Sequence, residues 1–301
     1  MRKIKLSVDY GVILNCCIWE PDKQPKGIVQ IIHGVAEYAQ RYDHFASFLT
    51  EHGFLVVAED HPGHGETVTP DNLGYLTGGW MNAVNGVHKL YETIHHDYPD
   101  LPYYMLGHSM GSFLLRTYLF TYHSSISGAV ISGTGWQPAI ILPLGRLICK
   151  EEAARLGDAS FSQLLNTMMF GGYNKKFSPQ RTIFDWLSTD NAVVDKYIED
   201  SLCGFPISIQ LCTEMMKGLS MIQKNENLSR MQKELPIYFF SGEEDPVGDM
   251  GAGVHKTITA FQDAGMKDVS YKLYPGMRHE ALNEIGKEQV YQDVLQWLEC
   301  R

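Results

Sequence analysis

The sequence predicts an α/β fold: a mostly parallel central sheet of about eight strands, helices on both faces, and an inserted block of helices. Three observations carry this. Short apolar runs ending in Gly, Asp or Pro alternate with helix-period segments in the N-terminal part. The alternation stops near Gly135, and from Trp136 to about Gly218 the pattern is helical with no clear strand. The strand rhythm then returns at Ile237.

In chain order, Lys3 to Val8 and Val12 to Trp19 read as two strands joined at Tyr10-Gly11. Ile28 to Ile32 is a strand ending at His33-Gly34, and Leu55 to Ala58 one ending at Glu59-Asp60. Tyr103 to Leu106 ends at Gly107, and Ala129 to Ile131 at Gly133. Amphipathic helical patterns lie between them at about 42–51, 80–97 and 110–123. Strands alternating with helices imply right-handed crossovers between parallel strands. Ile237 to Phe240 and Val269 to Leu273 complete the strands, and a last helix runs from about Lys287 to Glu299. The expected division is a core in two parts, 1–135 and 225–301, with a helical cap at 136–224 inserted between them.

The chain has 301 residues, 44% of them hydrophobic and 20% charged, enough for one large core with an insert and too apolar for disorder. Its formal net charge of −10 disfavours nucleic acid and anionic membrane surfaces as partners. Six cysteines without a C-x-x-C pair read as reduced thiols of a cytoplasmic protein. The basic start is followed by polar interruptions rather than a leader's apolar stretch, so no targeting segment is expected. No run approaches the ~18 apolar residues of an integral membrane span. Oligomeric state is not legible.

Gly107-His108-Ser109-Met110-Gly111 fits G-x-S-x-G. Chance alone gives roughly 0.1 matches in a chain of this length, at ~7% each for Gly and Ser, so the pattern is weak by itself. Its setting, after an apolar strand and opening an amphipathic helix, is that of a nucleophile elbow rather than of a capping serine. A serine hydroxyl needs a base, and the base an orienting acid, here in the chain order Ser, Asp or Glu, His. Ser241-Gly-Glu-Glu-Asp245-Pro246 offers three carboxylates after a late strand. Asp245 is the choice because Pro246 pins the turn around it; Glu243 and Glu244 read as solvated. Of the histidines beyond Asp245, His255 falls in a helical stretch, whereas His279 follows a strand and is the expected base. The oxyanion donors are expected to be the backbone N–H of Met110 and that of Val35, in the loop after the strand ending at His33-Gly34.

These segments resemble the α/β-hydrolase superfamily, in its branch of monoacylglycerol lipase-like and lysophospholipase-like, serine aminopeptidase-type hydrolases. The carrying residues are His33-Gly-Val-Ala-Glu37 with Arg41-Tyr42, Asp60-His-Pro-Gly-His-Gly65, Gly107–Gly111, Ser241–Gly248 and Gly276-Met-Arg-His279-Glu280. Within the cap, Arg181–Leu187 and Asp200–Phe205 look like bacterial members. The resemblance implies Ser109, Asp245 and His279 as triad, Val35 and Met110 as oxyanion donors, and Glu37 with Arg41 bracing the oxyanion loop. Tyr38-Ala39-Gln40 departs from the family, where a His followed by small residues is more usual.

The expected activity is hydrolysis of carboxylic esters with an apolar acyl group through an acyl-enzyme on Ser109. A monoacylglycerol leads as substrate, with a lysophospholipid or small acyl ester next. A proline iminopeptidase-like amidase is a weaker alternative, and a non-catalytic binding protein on this scaffold the weakest. Candidate substrate-binding residues are His33, Leu142, Leu165, Met169 and Met216. Met168-Met169 and Met215-Met216 fit an acyl channel and cap packing equally well. His61 and His64 read as a structured loop behind the site, and His95-His96 as a solvated helix end. No cofactor and no metal are implied. The partner is a small ester or lipid, with transient contact to lipid surfaces through the cap.

Overall fold

The structure, a computed structural model, describes residues 1–69, 71–122 and 125–301. Among them, eight strands form one sheet: β1 (Arg2–Ser7), β2 (Ile13–Trp19), β3 (Gly27–Ile32), β4 (Phe54–Glu59), β5 (Tyr103–His108), β6 (Gly128–Ser132), β7 (Ile237–Gly242) and β8 (Val269–Tyr274). Their order is β1-β2-β4-β3-β5-β6-β7-β8. β1 and β2 are antiparallel, β2 runs antiparallel to β4, and every pairing from β4 to β8 is parallel. Each expected strand is present. The Tyr10-Gly11 joint is a short 3₁₀ turn with Tyr10 at φ 61°.

The helices are α1 (Asp43–Glu51), α2 (Gly79–Asp97), α3 (Met110–Thr121), α4 (Ile141–Leu156), α5 (Gln163–Phe170), α6 (Asn191–Glu199), α7 (Ile209–Ile222), α8 (Asn225–Leu228), α9 (Ala252–Asp263) and α10 (Lys287–Glu299). The expected helix end at 123 lies outside the described residues.

Strands β3 to β7 are buried on both sides, as a covered parallel sheet requires. Period-two alternation sends Ile28, Ile32, Met105, Ile131 and Phe239 to one face. There they meet Trp80, Leu114, Leu115 and Phe261 from α2, α3 and α9. Val29, Ile31, Leu106, Val130 and Phe240 go to the other face, against Phe45 and Leu49 of α1 and Val290 and Val294 of α10. The segment from α4 to α7 adds Leu142, Leu165, Leu211 and Leu219 to the first cluster.

The parallel strands β3, β5, β7 and β8 all end at the same edge of the sheet. The chain leaves β3 for one neighbour, β4, and returns on the other side as β5, so the β3/β5 edge is the topological switch point where such sheets hold ligands. Residues 33–42, Ser109, Asp245 and His279 follow those four strands.

Candidate active site

Ser109 sits between β5 and α3 with φ 53° and ψ −121°, a conformation that costs about 1–3 kcal/mol for a non-glycine residue. The turn is held by its N–H, which donates to Ser132 O at 3.0 Å. The two motif glycines are forced by close approach. A Cβ at Gly107 would lie 2.5 Å from Gly111 O, and one at Gly111 would strike Ile32 O.

Asp245 and His279 come together from β7 and β8. His279 Nδ1–H donates to Asp245 Oδ1 at 2.9 Å. Both are buried. Asp245 also accepts from Val247 N–H at 2.9 Å and Ser241 Oγ at 3.0 Å. Burial opposes its charge, but the imidazole and these donors prevail and hold its pKa below the ordinary value. Burial equally opposes charge on His279, and the Asp245 carboxylate outweighs it, raising the imidazole pKa. Glu243 and Glu244, by contrast, are exposed. His255 is exposed on α9. With Nδ1 donating to Asp245, the remaining imidazole nitrogen, Nε2, is a free base. Ser109 and His279 line one cavity of about 360 Å³. His108, whose ring lies 4.7 Å from that of His279, is pushed down to about 3 by burial and by that neighbour, and stays neutral.

The loop after β3 lies against the serine: a Cβ at Gly34 would be 3.1 Å from Ser109 Cβ. Val35 lines the cavity, and Met110 opens α3 directly after Ser109. Ala36 has a positive φ of 54°, so the loop is strained and needs bracing. Glu37 Oε1 accepts from Gly34 N–H at 2.6 Å and from Tyr42 Oη at 2.9 Å. Arg41 Nη1 donates to Glu37 Oε2 at 2.6 Å, and the guanidinium grips Glu280 through two bonds of 2.7 and 2.8 Å. Burial opposes charge on Glu280, but Arg41 outweighs it and brings the carboxyl down to about 2. One arginine thus ties the loop after β3 to the residue after His279.

The segment between β6 and β7 closes the site. Trp186 packs its ring 5.0 Å from that of His279, and its carbonyl accepts from His279 N–H. Tyr197 Oη donates to Ala36 O at 3.0 Å, and Gly204 N–H does so at 2.9 Å. Arg278 donates to Asp185 O and Ser188 O. The cavity wall is mainly aromatic and aliphatic, with Phe161, Phe170, Ile183, Phe184, Phe205 and Ile207. A polar stripe of Gln163, Asn166 and Thr167 crosses it on α5.

Several expected substrate-binding residues lie elsewhere. His33 is fully buried behind the wall. Leu142, Leu165, Met169 and Met216 do not line this cavity. The reason on α5 is helical phase. Gln163, Asn166, Thr167 and Phe170 follow the i, i+3, i+4, i+7 spacing of one face, which puts Leu165 and Met169 on another. Leu142 and Leu165 are buried in packing, and Met216 sits against Gly145 between α7 and α4. Phe161, Phe170 and Ile207, none of them among the expected substrate-binding residues, line the cavity instead. Phe184, Trp186 and Phe205 lie in the segments Arg181–Leu187 and Asp200–Phe205, which carry the family resemblance. Among the described residues, no three His, Cys, Asp or Glu side chains converge as a metal-binding group. No helix among them is long and apolar enough to cross a membrane.

The chain is similar over nearly its whole length to proteins of known kind. The monoglyceride lipase of Mus musculus is 26% identical over 297 residues, covering 97% of this chain and 88% of that one. The monoacylglycerol lipase of Mycolicibacterium smegmatis is 28% identical over 301 residues, covering 96% and 93%. Among solved structures, a thermostable carboxyl esterase from Bacillus coagulans, in complex with glycerol, superposes with a TM-score of 0.92 at 29% identity, covering 99% of this chain and 97% of that one. A family profile described as serine aminopeptidase, S33, matches residues 23–286. With that match spanning all four strand ends that carry the site, the chain belongs to the serine aminopeptidase S33 family of α/β-hydrolases.

Proposed function

We propose that this α/β-hydrolase is a serine esterase of monoacylglycerol lipase type, acting through an acyl-enzyme on Ser109. It is an ester-hydrolysing enzyme, the class to which its named relatives belong. The observation that carries the finer reading is the pairing of a strained serine with a buried Asp–His couple at one cavity, whose wall is mainly apolar and crossed on α5 by a polar stripe. His279 Nε2 takes the Ser109 proton as the hydroxyl attacks the ester carbonyl. Asp245 holds the imidazole tautomer and stabilises the imidazolium. The N–H groups of Val35 and Met110 receive the oxyanion. His279 then protonates the leaving alcohol and activates water for deacylation.

An apolar wall suits an acyl chain, and the stripe of Gln163, Asn166 and Thr167 suits a hydroxylated leaving alcohol. In this reading 136–224 acts as a cap between the core parts 1–135 and 225–301, touching lipid surfaces transiently, and the enzyme works in the cytoplasm. A lysophospholipid or a short acyl ester would use the same machinery. An aminopeptidase needs a free acid for the substrate amine. The acids on this wall, Glu37 and Glu280, are both engaged by Arg41.

The test is a hydrolysis panel of p-nitrophenyl esters of increasing length, monoacylglycerols, lysophosphatidylcholine and aminoacyl-naphthylamides. Each methylene buried adds roughly 0.8 kcal/mol, or ~3–4-fold in kcat/KM, until the cavity is full. Preference for the aminoacyl-amides would contradict the reading.

A further inference from the structure

Behind the oxyanion loop lies a buried polar cluster that the acyl-transfer steps leave unused: Glu59 at the end of β4, with His61 and His33. All three are inaccessible. Their protons are fixed by bookkeeping on the surrounding partners. His61 N–H donates to His33 Nε2 at 3.0 Å, so Nε2 is an acceptor and the His33 proton is on Nδ1. That Nδ1–H then donates to Gly34 O at 2.7 Å. His61 Nε2 lies 3.0 Å from His33 O, a carbonyl that only accepts, so His61 carries its proton on Nε2 and a lone pair on Nδ1.

His61 Nδ1 faces Glu59 Oε1 at 3.5 Å, and among the described residues neither atom has another partner. The other carboxyl oxygen, Oε2, is settled by Gln30. The Gln30 Nε2 donates to Val87 O at 2.9 Å, while its Oε1 accepts from Tyr103 Oη at 2.6 Å. The amide orientation is therefore fixed, and Nε2 is also the donor to Glu59 Oε2 at 3.2 Å. Two lone pairs would face each other between Glu59 Oε1 and His61 Nδ1 unless one proton sits between them.

We propose that Glu59 is a positioning residue for the oxyanion hole, holding that proton as a neutral carboxylic acid at the head of a chain Glu59–His61–His33–Gly34. The consequence reaches the chemistry through one peptide plane. In a trans peptide the C=O and the following N–H point to opposite sides. Pinning Gly34 C=O on His33 therefore aims Val35 N–H away from the cluster, on the side opposite the imidazole. Burial supports the neutral form, pushing Glu59 up to about 8 against the bonds from its own backbone N–H and from Gln30. The His33 and His61 pKa values are lowered by the same burial, keeping both rings neutral.

The proposal rests on the esterase reading, so its test carries a readout independent of activity. The infrared spectrum of the wild type at neutral pH should contain a protonated-carboxyl C=O band that disappears in Glu59→Gln. Kinetically, Glu59→Gln keeps a donor toward His61 and an acceptor toward Gln30, so kcat on a p-nitrophenyl ester should stay within about threefold. Glu59→Met removes the donor, and kcat should fall roughly ten-fold or more with KM little changed, a fraction of the loss from deleting an oxyanion donor. Absence of the infrared band, or a Glu59→Gln loss as deep as that of Glu59→Met, would overturn the proposal. So would an unchanged kcat in Glu59→Met. If Glu59→Met does not fold, the band and the Glu59→Gln kinetics still decide. Failure of wild-type Ser109 to react with a fluorophosphonate would instead count against the esterase reading, with the infrared result standing by itself.

Discussion

Glu243, Glu244 and Asp245 share one turn, yet only Asp245 is buried, and only it meets an imidazole. Composition could not separate them; Pro246 could, because it fixes the backbone on which Asp245 turns inward. Asp245→Asn should cut kcat roughly a thousand-fold or more, since an amide favours the wrong His279 tautomer. Glu243→Gln and Glu244→Gln should leave kcat nearly intact. Steady-state kinetics of the three variants decides, and a severe Glu244→Gln would reassign the acid. In the proposed mechanism the same couple sets the pH profile. His279 must be neutral to accept the Ser109 proton, and Asp245 raises its pKa. Activity should therefore be lost in acid, and kcat/KM should rise with pH through a midpoint above the ordinary histidine value of ~6.5. A profile flat from pH 5 to 8 would exclude a histidine base.

At the scale of elements, the strands were legible because a covered parallel strand is a short apolar run with a glycine or acid at its end. The helix faces were not. Periodicity tells which residues share a stripe of α5, but not which stripe meets the cavity beside Ser109. Here the usual rule inverts: Gln163, Asn166 and Thr167 face the cavity, while Leu164 and Met168 are exposed and Leu165 is buried in packing. An expectation of an acyl pocket at Leu165 and Met169 followed from apolarity alone and missed that phase. Two alanine variants separate the faces. Phe170→Ala enlarges the cavity and should move the acyl-length break in log kcat/KM to longer chains. Leu165→Ala should lower stability by about 2–5 kcal/mol and leave the break in place. A break that moves with Leu165 and not with Phe170 would refute the assignment of the wall.

Across the whole molecule, the order Ser109, Asp245, His279 was readable because β5, β7 and β8 are successive steps toward one edge of a parallel sheet and end on the same side. The long-range clamps were harder to read. Glu37 with Arg41 showed as an i, i+4 pair, but Glu280 lies 239 positions from Arg41 and has no local pattern linking the two. The same holds for Tyr197 on Ala36 and Arg278 on Asp185: pairings between distant segments leave no periodic trace. They bind the segment between β6 and β7 to the loop after β3 and to the loop after β8. The account stands or falls on a covalent intermediate at that edge. Rapid quenching of the enzyme with a p-nitrophenyl ester, followed by intact-mass measurement and peptide mapping, should show one acyl group on the peptide containing Ser109. The adduct should be absent from Ser109→Ala of unchanged fold. An acyl group on any other residue, or one retained in Ser109→Ala, would contradict it.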